Sequence, residues 1–137
     1  MTTWRALPRW ARITLGVYAG AFLVATVSHV VDIVVHGDSV YAAAPPQLRL
    51  FFVSLVVLDP VVVALVLRLR RAGVLLAVAV MLADVTANVA MSAIDPTWRL
   101  APTLPVFGVF VVVTALPLWR SLAPPRARSV PPHPLVH

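Results

Sequence analysis

The stretch ITLGVYAGAFLVATVSHVVDIVV, Ile13–Val35, decides the fold. As a helix rising 1.5 Å per residue it is long enough to cross the roughly 30 Å hydrocarbon core of a bilayer. The competing reading is a cleaved signal peptide, which Arg5, Arg9 and Arg12 upstream would also suit. A signal peptide has an apolar region of only about 7–15 residues. This one is longer and contains His29 and Asp32. The cleavage-like Ala42-Ala43-Ala44 stands far downstream and precedes Pro45. The stretch therefore reads as a retained membrane helix. Positions 29, 32 and 36 share one side of that helix. That side carries imidazole, carboxylate and imidazole among Val, Ile, Ala and Leu.

The composition agrees. Of 137 residues 61% are hydrophobic and 12% charged, and the mean hydropathy is +0.94. A soluble domain carries about 25% charged residues. So few charges cannot cover a soluble surface, so lipid is the expected solvent and the main partner. The absence of cysteine removes disulfides, thiolate nucleophiles, iron–sulfur clusters and thiolate zinc sites. All eleven basic residues are Arg, and the formal charge is +6. These arginines flank apolar segments, so membrane topology accounts for them and no nucleic-acid partner is expected.

Three further helices follow. Leu50–Leu67 is apolar except for Ser54 and Asp59-Pro60. Its Leu, Val and Phe contribute roughly −0.3 to −0.6 kcal/mol each, which outweighs about +3 kcal/mol for one central Asp. Pro60 removes a backbone donor and leaves the Val56 carbonyl without its helical partner, so a kink is expected there. Arg68, Arg70, Arg71 and Gly73 mark a short turn into Ala72–Ala93, which makes helices two and three an antiparallel hairpin. In helix three Gly73, Ala77, Asp84, Asn88 and Ser92 form a broad small and polar face that lets a neighbour approach closely. Helix four runs from Leu104 to Leu118 or as far as Leu122, with Pro105 in its first turn. Residues 1–12 form an interfacial segment with Trp4 and Trp10, 13–122 the transmembrane domain, and 123–137 a Pro/Arg-rich disordered tail.

Counting arginines sets the topology. Nine lie before helix one, between helices two and three, and after helix four; only Arg49 and Arg99 lie in the other two loops. The expectation is an all-α, up-down-up-down four-helix bundle in the cell membrane with both termini cytoplasmic. On that topology Asp32 lies roughly 5 Å below the outer boundary, Asn88 roughly 7 Å and His29 roughly 9 Å. Asp59 and Asp84 lie roughly 13 Å deep. His29, Asp32, Asp59, Asp84 and Asn88 thus form a candidate intramembrane polar or ion site. With no Lys or Arg inside a helix, a carboxylate there pairs with His29, is protonated or holds a cation. The competing reading is interhelical packing glue, worth about 0.6 kcal/mol per hydrogen bond. His36 belongs to the interface, where water satisfies it.

Other chemistries fit less well. The membrane histidines all lie on helix one, so no bis-histidine haem is expected, nor any other cofactor. Mixed His/Asp metal ligation is conceivable, but no spacing supports it. Ser28 beside His29 in a helix is not a nucleophile elbow, and no glycine-rich phosphate loop is present. No catalytic residue is assigned. Gly16-x-x-x-Gly20 is a helix-dimer motif, roughly opposite His29, and points to a homo-oligomer or a membrane-protein partner.

The run His29-x-x-Asp32, Leu58-Asp59-Pro60, an arginine-rich hinge and Asp84-x-x-x-Asn88 resembles small four-helix integral membrane proteins of bacteria, over roughly residues 12–120. The resemblance implies four helices and no particular activity. Small multidrug-resistance transporters are similar in size, but their Glu in helix one has no counterpart here. His29 and Asp32 loosely resemble the His and acidic residues of emopamil-binding-type sterol isomerases, whose full site needs a longer chain. Three functions are compatible with these residues. The first is a structural or accessory membrane subunit. The second is a proton- or cation-coupled small-solute permease working as an oligomer. The third is an intramembrane acid–base enzyme or lipid-ligand-binding protein.

Overall fold

The computed structural model describes residues 3–123. Among them are four long helices and no strand: α1 (Arg9–His36), α2 (Pro46–Leu67), α3 (Arg71–Ile94) and α4 (Thr103–Ser121). All four are long and apolar enough to cross a membrane. The expected spans are recovered with longer ends. α1 begins at Arg9 because Pro8 supplies an extended residue before the first turn. α2 begins at Pro46, where a missing N–H costs nothing, and so absorbs part of the expected loop. It continues through Pro60 as one helix. His36, expected in the loop, is the last residue of α1, with Nδ1 2.9 Å from the Asp32 carbonyl oxygen. α3 stops at Ile94, ahead of Pro96, where the Asp95 carboxylate accepts the Thr97 N–H and hydroxyl. Those two bonds hold the Asp95 pKa below the ordinary carboxylate value. The expected tail lies outside the described residues, except for Ala123.

Packing follows the helical repeat. In α2 the buried positions are Phe52, Leu55, Asp59, Val62 and Val66, spaced three and four apart. An aspartate thus occupies a core position of an otherwise apolar seam. α3 packs tightly on α2 at Gly73, where an added Cβ would stand 2.8 Å from the Val66 nitrogen. Ser92, expected on the same face, is exposed instead, and its hydroxyl donates to the Val89 carbonyl. The α2–α3 turn closes as a Schellman motif: Arg70 N–H bonds to Leu65 O and Leu69 N–H to Val66 O, with Leu69 at φ 54°. The outer surface is apolar, with Val34, Leu50 and Val106 each at least 70% exposed, as lipid-facing positions are. Thr14, Thr26, Thr86 and Thr114 return their hydroxyls to the carbonyl four residues earlier and need no outside partner.

The bundle has two distinct ends. At the turn end, the Trp4 indole donates to the Leu67 carbonyl, and the Arg71 guanidinium stacks 5.1 Å over Trp119. At the loop end, residues 37–45 and 95–102 meet through Tyr41, Phe52 and Trp98. α1 joins α4 through Tyr18, whose hydroxyl donates to the Val111 carbonyl at 2.7 Å, and through Phe22 against Phe107. Beyond Phe22 no residue of α1 is buried. Several of those residues, from Val24 to Asp32, line a cavity.

Candidate functional site

The cavity holds about 570 Å³ and sits at the loop end among all four helices. Its wall includes all five polar residues singled out from the sequence: His29, Asp32, Asp59, Asp84 and Asn88. They reach it from three helices. α1 presents His29 and Asp32 one turn apart, and α2 presents Asp59 from its core seam. α3 presents Asp84 and Asn88, joined by an Asn88 Nδ2–H bond to Asp84 Oδ1 at 2.9 Å. His29 Nε2 faces Asp59 Oδ2 at 3.8 Å. Asp59 is 2% exposed, and no hydrogen bond reaches its carboxylate among the described residues. His29 is thus the one basic partner within 4 Å of it among the described residues. Among the described residues no three His, Asp or Glu side chains gather as metal ligands, so the conceivable His/Asp metal site is not formed there.

Two loop residues complete the site, and no spacing in the sequence singles out either. Tyr41 has φ 52°, a left-handed backbone that costs a non-glycine residue energy. There its hydroxyl donates to Asp32 Oδ2 at 3.3 Å and lies 3.1 Å from His29 Nδ1. Its pKa is pushed up to about 12, first by burial and then by the negative charge of Asp32, so the phenol keeps its proton. Trp98 donates its indole N–H to Asn88 Oδ1 at 3.1 Å and stacks on Phe52 at 5.6 Å. Asn88 is therefore a positioning residue that fixes Asp84 with its amide nitrogen and Trp98 with its oxygen. Arg99 is the only arginine in the wall and is exposed.

Two proton patterns satisfy these contacts, because the single Tyr41 O–H can go to His29 Nδ1 or to Asp32. In the pattern that forms both bonds, Tyr41 donates its O–H to Asp32 and its oxygen accepts from His29 Nδ1–H. A neutral His29 then turns an unprotonated Nε2 toward Asp59. Two acceptors facing one another are relieved by one proton held between them. Gly16 and Gly20 are both exposed, with nothing within 4 Å of an added Cβ, so the bundle itself does not use them. Gly20 also borders the cavity. No family model, curated protein or solved structure matches the chain. The helix count therefore rests on the fold itself.

Proposed function

We propose that this is a multi-pass protein of the cell membrane that exchanges protons between its cavity and the outside water, as the working part of a small-solute permease acting as an oligomer. Asp59 carries the proposal. It is nearly fully buried, lines a cavity, takes no hydrogen bond among the described residues and faces His29 Nε2. A carboxylate serving as packing glue would be tied to another helix by hydrogen bonds. The hydrogen bonds of this cluster instead run from loop to α1, from loop to α3, or within α3. The nine-to-two arginine split supports an up-down-up-down bundle with both termini inside, which puts Tyr41 and Trp98 on the outer side.

The proton balance is simple. The Asp59 carboxyl gives its proton to His29 Nε2, Nδ1–H passes to the Tyr41 oxygen, and the Tyr41 O–H passes to the Asp32 carboxylate. Asp59 becomes a carboxylate, Asp32 a carboxylic acid, and His29 changes tautomer; uptake is the reverse. Closing the 3.8 Å gap to hydrogen-bond length needs a movement of ~1 Å. The test is time-resolved infrared spectroscopy on proteoliposomes after an external pH jump. A carboxyl band that disappears in Asp59→Asn should respond at least about tenfold more slowly in Tyr41→Phe. Equal rates in Tyr41→Phe and wild type would reject the path, and no Asp59 band at any pH would return the cluster to packing.

A further inference from the structure

We infer that the cavity binds an organic cation with a flat apolar body, its charge at Asp59 and Asp84 and its body against Tyr41, Phe52, Trp98 and Phe107. The inference rests on the proton reading in one respect: Asp59 is the carboxylate that proton and cation would share. Three observations carry it. First, the wall holds three carboxylates, Asp32, Asp59 and Asp84, against one arginine, so it stays negative by one charge even with the proton between Asp59 and His29 in place. Asp32 is engaged by Tyr41 and Asp84 by Asn88, whereas Asp59 is 2% exposed, takes no hydrogen bond among the described residues and faces the space. α4 adds no ionisable side chain to the wall, and Arg99 is exposed. An anion would meet that excess, and a cation is drawn to it.

Second, the size and chemistry fit an organic molecule. About 570 Å³ lies within the roughly 300–1,000 Å³ of small-molecule sites and is far larger than a bare metal ion needs. Aromatic faces attract cations that have shed water, and here Tyr41, Phe52 and Trp98 stand within 5.1–6.3 Å of one another. Third, the route favours an apolar body. The wall includes Gly20 and Val24, and Val24 is 68% exposed. The cavity is therefore open along its α1 side. A molecule partitioned into lipid reaches it sideways.

The probe is radiolabelled (3-phenylpropyl)trimethylammonium, whose charge does not depend on pH. It is bound to the full chain in phosphatidylcholine nanodiscs and corrected with empty discs. Competitors are its uncharged analogue, with tert-butyl in place of trimethylammonium, and the matching carboxylate. Saturable binding is expected, with both competitors at least about tenfold weaker. Asp59→Asn should lose at least about tenfold in affinity, and Asp95→Asn, outside the cavity, should bind as wild type. Where Asp59→Asn does not give monodisperse protein, Asp84→Asn is read in its place. An uncharged analogue that competes as well as the cation, or full affinity in the aspartate variant, overturns the inference. Proton release on binding, followed with a dye in weak buffer, separates the two ideas. Selective cation binding without proton release upholds the cation site and removes the proton reading. Proton exchange at Asp59 with no preference for the cation does the opposite.

Discussion

The Tyr41 hydroxyl oxygen stands 3.1 Å from His29 Nδ1, joining a loop residue to a helix residue twelve positions earlier. That contact fixes which nitrogen of His29 faces Asp59. It also makes the loop between α1 and α2 part of the site.

Tyr41 should leave a mark on the alkaline side of the stability curve. Its pKa is about 12 in the fold against 10.0 for the free side chain. The folded state thus binds the proton more tightly. The contribution is complete below pH 10.0 and is lost as pH rises through about 12. The chain has two tyrosines, so Tyr18→Phe leaves Tyr41 as the only phenol to follow by phenolate absorbance. In that background the midpoint should lie well above 10.0, and adding Tyr41→Phe should remove the alkaline loss of stability. A midpoint at the free value would show that the Asp32 contact does not form in lipid.

Asp59→Leu separates site from scaffold. Removing a buried carboxylate that takes no hydrogen bond should leave detergent stability unchanged or raise it by about 1–2 kcal/mol. Thermal melts would show this together with loss of the Asp59 infrared signal. If Asp59 instead tied helices together, the same change would cost about 1–3 kcal/mol.

The glycines should behave in opposite ways. Gly73→Ala places a Cβ 2.8 Å from Val66 N and 2.9 Å from the Leu65 carbonyl carbon, both backbone atoms that give little. It should destabilise the bundle by about 1–3 kcal/mol in chemical denaturation. Gly16 and Gly20 meet no neighbour, so changing both to Leu should leave the fold of one protomer intact. If the dimer motif is used, the change should convert oligomers to monomers by light scattering in detergent. A monomeric wild type would remove the oligomer from the proposal.

Topology is tested by reporter fusions. Fusions after Arg71 and after Arg126 should report the cytoplasm, and one near Ala43 the outside. An external C-terminus would reverse the arginine argument and place the cavity on the other face.

The sequence by itself determined four apolar helices, their order, and the arginine asymmetry between the two sets of loops. These are properties of runs and counts, because a bilayer imposes length and apolarity on each segment separately. Helical spacing also placed His29 and Asp32 on one side of α1 and Asp84 beside Asn88 on α3. Only the tertiary structure decided that Asp59 faces His29 and that Tyr41 and Trp98 close over them. It also decided that no residue of α1 beyond Phe22 is buried. These are contacts between segments far apart in the chain, set by which residues fill each seam and by a left-handed turn at Tyr41 that no local pattern announces. Gly73 shows both sides of this. Its small size was legible as permission for close packing, but that the permission is used against Val66 depends on the path of α2.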